Sequence, residues 1–146
     1  MKLTTKALAI GFALVAGIAF AEAEATDPNV IARQDLMKTF GGAAKALGEM
    51  ASGKAAYDAA AAEAAKQVLV AGSAQIAAKF EANAVDPATE AKPEIWTGWD
   101  DFITKGKGLE TAAQALDVSS IEMIGAGMAG VGGACKACHT TYRVAK

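Results

Sequence analysis

With seven residues left to run, the chain reads Cys135-Lys136-Ala137-Cys138-His139. The spacing C-x-x-C-H is the attachment signature of a c-type haem. Each thiol can form a thioether to one vinyl group, and the adjoining imidazole can ligate the iron. On a helix, positions 135, 138 and 139 stand at i, i+3 and i+4, so the three side chains share one face. That requirement constrains the fold, because a helix must lay this face against a flat macrocycle. Two other uses of such residues are poorer fits. A thioredoxin-like redox pair needs a βαβ pattern, which is lacking here. A closed zinc site needs four ligands, and the chain holds two Cys and one His. His139, the single histidine, is therefore the one candidate for a proximal iron ligand, and Cys135 and Cys138 are the candidate haem anchors.

The rest of the chain is rich in Ala, Leu, Lys, Glu and Met and poor in β-branched runs, which predicts helix throughout. Four segments are expected. Asp27-Pro28 supplies an N-cap and a first-position proline. From there Val30, Arg33, Met37, Phe40, Ala44, Leu47 and Ala51 recur at three and four, an inward stripe that ends near Gly53. A second segment runs roughly over 58–83, with Val68, Leu69, Ile76 and Phe80 as its bulk and a bend expected at Gly72-Ser73. Residues 84–92, with Pro87, read as a crossover loop. The third helix opens at Pro93-Glu94 and carries Ile95, Trp99, Phe102, Leu109, Ala113 and Leu116 inward. Its aromatic group of Trp96, Trp99 and Phe102 is expected to be core.

A fourth helix begins near Ser119, with Glu122 completing a capping box. It carries Ile121, Ile124, Met128 and Val131 toward the C-x-x-C-H motif. Between them stand Gly125, Gly127, Gly130, Gly132 and Gly133, which at about 1 kcal/mol each burden a helix. Either part of this run is loop, or close approach of a macrocycle to the bare backbone offsets the cost. Four amphipathic helices with mostly short connections predict an all-α, antiparallel up-down-up-down four-helix bundle with covalently bound haem c.

Residues 1–21 have the pattern of a cleaved signal peptide. Lys2 and Lys6 precede the uncharged run 7–20, and Ala19-Phe20-Ala21 is a small-x-small cleavage site. That run is shorter than the ~18 residues of a membrane span. The expected mature domain is 22–146, exported to the periplasm and free of the membrane. It holds 12 Lys+Arg against 16 Asp+Glu, a net charge of −4, with no basic cluster to bind nucleic acid.

The C-terminal position of the motif, with no Met after it, sets the chain apart from the commoner small cytochromes c. Instead it resembles the cytochrome c′ family, the class II c-type cytochromes, which are themselves a standard example of the up-down bundle. The likeness is carried by Ala32-Arg33-Gln34-Asp35-Leu36-Met37, Ala56-Tyr57-Asp58-Ala59-Ala60, Thr89-Glu90-Ala91-Lys92-Pro93-Glu94-Ile95-Trp96, Gly132 through His139, and Tyr142-Arg143. Ala56 departs from it, since many relatives have Pro there. The resemblance implies that Arg33 and Gln34 approach the haem and its propionates and that Thr89 and Glu90 line its edge. It further implies that Arg143 packs on the proximal side, and the i+4 spacing from His139 agrees.

Met37, one turn after Arg33, is expected on the distal side. Relatives use that position either for a Met ligand or for a bulky apolar residue that leaves the iron open, and Arg33-Gln34 resembles the open, high-spin five-coordinate branch. The expected function is electron transfer with an unidentified periplasmic redox partner, binding of small gases (nitric oxide, carbon monoxide), or both. The alternative is a low-spin, His139/Met37-ligated electron carrier. A catalytic role is not expected, because no second histidine offers a distal acid or base. A homodimer through the first two helices is implied by the resemblance and suits the small residues Ala60, Ala61 and Ala64.

Overall fold

A computed structural model describes residues 24–145; the expected signal peptide lies outside them. The order of elements is α1 (Pro28–Ala51), α2 (Ala59–Ser73), α3 (Ile76–Phe80), α4 (Glu94–Thr97), α5 (Trp99–Ala115) and α6 (Ile121–Tyr142). Four of these, α1, α2, α5 and α6, form a ring in which each packs on the next and α6 closes on α1. The bundle runs up-down-up-down, with α3 continuing α2 and α4 leading into α5. No helix among the described residues is long and apolar enough to cross a membrane.

Local chemistry sets most boundaries. The Asp27 carboxylate accepts the N–H groups of Asn29 (2.7 Å) and Val30 (3.3 Å), so α1 starts where the Asp-Pro pair predicts. It ends at Gly53, which takes φ +72° and donates its N–H to Met50 O. Asp58 caps α2 through Ala61 N at 2.9 Å. Ser73 Oγ then donates back to Leu69 O (2.8 Å) and Val70 O (2.9 Å), and the helix breaks before α3. A Cβ on Gly72 would lie 2.3 Å from Phe40 Cε1, so this glycine lets α1 and α2 close on one another.

Two boundaries differ from expectation, and one open choice is decided. Gly98 (φ −116°, ψ 37°) splits the third segment into α4 and α5. Its bare Cα makes room for the Tyr142 hydroxyl, which would stand 3.0 Å from a Cβ there. The cap of α6 is Ser120, accepting from Met123 N at 3.3 Å, because Ser119 N is already bonded to Asp117 Oδ1 in the preceding turn. The whole glycine run 125–133 is helical, which excludes the loop reading.

The core takes Leu47, Leu69, Ile95, Leu116, Ile124 and Val131, all essentially inaccessible. Burying each contributes roughly 1.5–3 kcal/mol before entropy is counted. The α1 stripe is rotated relative to the sequence reading: Leu36, Ala43 and Met50 are buried, while Met37, Ala44 and Ala51 are half-buried beside them. Val68 and Ile121, expected inside, are exposed. Phe102 is core as expected, while Trp96 and Trp99 are half-buried against it. Tyr57 Oη donates to Val118 O at 2.8 Å and ties the α1–α2 and α5–α6 connections at one end of the bundle. The opposite end gathers the start of α1, the end of α3, the start of α5 and the end of α6.

Candidate functional site

That second end gathers the residues that the sequence assigns to the haem site. Cys135 and Cys138, with free thiols, are half-buried and pack against the core together with Met128, Ala134 and Met37. Burial pushes both thiols up from their ordinary pKa, so they are protonated at neutral pH. A redox or metal-binding cysteine needs the thiolate and sits where its pKa is lowered. These two have the opposite setting, which favours neither of those roles. His139 follows on the same turn. Partial burial of its ring lowers its pKa, the Arg143 charge lowers it further, and Glu90 opposes both. The imidazole is thus held neutral, the form that ligates iron.

Arg143 N donates to His139 O at 3.1 Å, and its side-chain Nε pairs with Glu90 Oε2 at 2.7 Å. The crossover loop is fastened here by backbone as well. Lys92 N bonds Tyr142 O (2.9 Å), Val144 N bonds Glu90 O (2.8 Å), and Ala91 bridges Arg143 in antiparallel fashion. Thr89 folds into the same turn, its Oγ1 accepting from Ala91 N at 3.3 Å. Thr89 and Glu90 therefore stand beside the turn that carries His139.

Arg33 is neither a surface residue nor a snorkelling one. It is 3% exposed, with its guanidinium between the rings of Phe80 and Trp96 at 5.2 and 5.1 Å. Nε donates to Lys79 O at 3.1 Å and Nη2 to Ala82 O, the carbonyls at the end of α3, where a cation also meets the helix dipole. Nη1 is buried without a hydrogen-bond partner among the described residues. Gln34 Nε2 donates to Ala88 O at 3.0 Å and holds the crossover loop from the other side.

These features fit a covalently attached haem. The two protonated thiols and the neutral imidazole share one helical turn. The orphaned Arg33 Nη1 offers a buried cationic donor to an acidic group.

Two groups at this end were given no role in the sequence reading. Asp86 is 5% exposed and takes Thr26 N (2.8 Å), Thr26 Oγ1 (3.1 Å) and Asp27 N (2.9 Å) on Oδ2, and Ala88 N (2.7 Å) on Oδ1. Its pKa falls to about 2, chiefly through the backbone hydrogen bond from Asp27. The Asp-Pro-Ala turn was its one sequence signal. Tyr142, 5% exposed, donates to Asp101 Oδ2 at 2.7 Å. Its i+4 spacing from Cys138 was the available clue.

Comparison with known proteins agrees with this assembly. The family model described as Cytochrome C′ matches residues 29–143. The cytochrome c-556 of Agrobacterium fabrum (strain C58) is 33% identical, over all of this chain and 99% of its own. Among solved structures, the cytochrome c′ from Rhodobacter Spheriodes superposes with a TM-score of 0.73 at 32% identity, covering 81% of this chain and 96% of that one. The nitric oxide complex of a cytochrome c prime mutant from Alcaligenes xylosoxidans gives 0.72 at 30%, covering 81% and 94%. A four-helix ring that brings C-x-x-C-H to one end, matched along nearly its whole described length, places this chain in the cytochrome c′ family, the monohaem c-type cytochromes.

Proposed function

We propose that this protein is a periplasmic cytochrome whose iron is high-spin and five-coordinate, acting in electron transfer and in nitric oxide binding. The haem, when bound, supplies the redox couple and the gas-binding iron. The chain does the rest. Cys135 and Cys138 hold the macrocycle, His139 presents a neutral imidazole to the iron, and the Glu90–Arg143 pair steadies the turn behind it. Arg33 holds the carbonyls at the end of α3, Gln34 pins the crossover loop, and Arg33 Nη1 would serve a propionate. Thr89 would lie at the macrocycle's edge.

What carries the open-site reading is the Arg33-Gln34 pair, which resembles the five-coordinate branch, and the packing of α1 is compatible with it. Leu36, which has no donor atom, takes the inward position of that turn, while Met37 stands half-buried beside it. Met37 then packs as a steric gate that admits a diatomic gas. A nitric oxide complex is known for a mutant of the Alcaligenes relative. The absence of a second histidine argues against peroxidase-like or nitrite-reducing chemistry.

Optical and EPR spectra of the oxidised and reduced holoprotein, with and without nitric oxide, test the reading. A high-spin resting spectrum is expected, and Met37→Ala should keep it while speeding carbon monoxide binding. A low-spin resting spectrum with a Met-to-iron charge-transfer band, lost in Met37→Ala, would leave the His139/Met37 electron carrier instead. Acid–acetone extraction should leave the pigment on the wild-type chain, and Cys135→Ala or Cys138→Ala should release it more readily. Export rests on residues 1–21, and the mass of the purified protein should show them removed. Dimerisation through α1 and α2 rests on the exposed Ala60, Ala61 and Ala64; sedimentation that detects monomer alone would exclude it.

A further inference from the structure

Of the five glycines in the second half of α6, packing explains one. Gly127 makes room for Leu116, whose Cδ1 would stand 2.4 Å from a Cβ there. Gly125, Gly130, Gly132 and Gly133 are exposed, and a Cβ on any of them would meet nothing within 4 Å among the described residues. Glycine weakens a helix relative to alanine, yet α6 runs unbroken from Ile121 to Tyr142 through all of them. Four bare positions therefore serve no contact among the described residues.

The helical register separates these four. Successive residues turn by about 100° and rise by about 1.5 Å. Gly132 precedes Cys135 by three positions and His139 by seven, which brings it within about 60° of the first and about 20° of the second. It extends the face that carries the anchors and the candidate iron ligand, less than one turn before Cys135. Gly130 and Gly133 stand about 140° and 160° round from Cys135, on the other side of the helix. Gly125 returns to the anchor face, but about 15 Å along the axis from Cys135. Gly127, which meets Leu116 at the end of α5, lies about 140° from Gly132, so Gly132 turns away from that contact. Beside the half-buried Cys135, Cys138 and His139 there is thus one stretch of bare, exposed backbone.

We propose that Gly132 is a positioning residue for the haem, whose macrocycle lies against its bare backbone while Cys135, Cys138 and His139 hold it. The proposal rests on haem attachment at that turn and names which glycine the ring requires. A Cβ at 132 would project from the anchor face into the space beside the two sulfurs and the imidazole. It would hold the ring off the helix and change its tilt relative to the His139 imidazole. The same methyl group at 133 would point away from the anchor face and only strengthen the helix.

The test uses the holoprotein, with haem content measured on every sample. In its diamagnetic ferrous form (the carbon monoxide adduct, or ferrous protein itself where that is low-spin), ring-current shifts report how close a proton lies to the porphyrin. The α-protons of Gly132 should be displaced well beyond those of Gly130 and Gly133. Gly132→Ala and Gly133→Ala gain the same helix propensity, so their difference isolates the ring. Gly133→Ala should keep its haem and its resting EPR spectrum and raise Tm by roughly 3–6 °C. Gly132→Ala should alter the resting EPR spectrum and either lose haem or melt below Gly133→Ala, and Gly132→Leu should go further. Should neither variant at 132 accumulate, the wild-type shifts decide. Gly132 α-protons displaced no more than those of Gly130, or a Gly132→Ala holoprotein that matches Gly133→Ala in haem content, EPR spectrum and Tm, overturns this proposal alone. A chain that holds no haem overturns it together with the reading of the site.

Discussion

Alanine substitutions in the glycine run of α6 separate what a helix loses to glycine from what packing requires. Gly127 and Gly130 lie less than one turn apart in the same helix, so replacing either should gain about 1 kcal/mol of helix propensity. Their surroundings differ. A Cβ on Gly130 meets nothing within 4 Å, whereas one on Gly127 would stand 2.4 Å from Leu116 Cδ1. Leu116 is 1% exposed and cannot swing into solvent. Forcing it aside is overpacking, which costs about 1–3 kcal/mol. Gly130→Ala should therefore raise stability by up to about 1 kcal/mol, a Tm increase of roughly 3–6 °C for a domain of this size. Gly127→Ala should fall between neutral and about 2 kcal/mol destabilising, as the propensity gain is set against the clash. The difference between the two variants isolates the contact, because the propensity term cancels. Thermal unfolding of the holoprotein followed by far-UV circular dichroism reads both. Equal stabilities would refute the claim that α6 closes on Leu116 at Gly127. A destabilised Gly130→Ala would show that something outside the chain needs that bare backbone.

Acid unfolding tests the Asp86 clasp. The folded pKa of about 2 lies below the ordinary 3.8, so its contribution is full above 3.8 and is lost as pH falls through about 2. Asp86→Asn should lower stability at neutral pH and flatten this acid limb in urea titrations; an unchanged limb would refute the clasp. Arg33→Lys removes the fork that reaches both Lys79 O and Ala82 O, and should cost about 1–3 kcal/mol in denaturant unfolding. Alkaline absorbance titration should find a phenol ionising at about 12 rather than 10, held up chiefly by the hydrogen bond to Asp101, and absent from Tyr142→Phe. The sign follows from the raised value: the Tyr142 contribution is present below 10 and disappears as pH rises through about 12.

What could be read from the sequence is what depends on near neighbours. Covalent capture of a macrocycle needs its anchors and its iron ligand within one helical turn, so C-x-x-C-H announces itself. Asp27 and Asp58 cap helices through bonds to residues two or three positions on, which is also local. Where two local solutions compete, a distant or preceding contact decides. Ser119 and Ser120 are equally good caps on paper, and Asp117 settles the matter by taking Ser119 N into its own turn. The α1 stripe could run through Met37 or Leu36, since both follow Arg33 at helical spacing. In the fold Arg33 is fixed by carbonyls 46 and 49 residues away, and the inward position of the next turn falls to Leu36. The glycine run reads as loop or helix by propensity, and packing between α5 and α6 makes it helix.

The site divides along the same line. Its chemistry is contiguous, while its tuning is assembled from afar. Glu90 reaches Arg143 across 53 positions, and Asp101 reaches Tyr142 across 41. Neither pairing leaves a spacing rule in the sequence, because a loop closed over that distance is set by the bundle's end and not by its own residues. Identity of the cofactor and identity of the fold were therefore legible together, since the same turn of α6 determines both. The residues that fasten that turn to its neighbours became visible only when α1, α5 and the crossover loop were brought to one end. It follows that substitutions at Glu90, Asp101 or Tyr142 should loosen how the end of α6 is fastened while leaving the anchors Cys135 and Cys138 and the candidate ligand His139 in place.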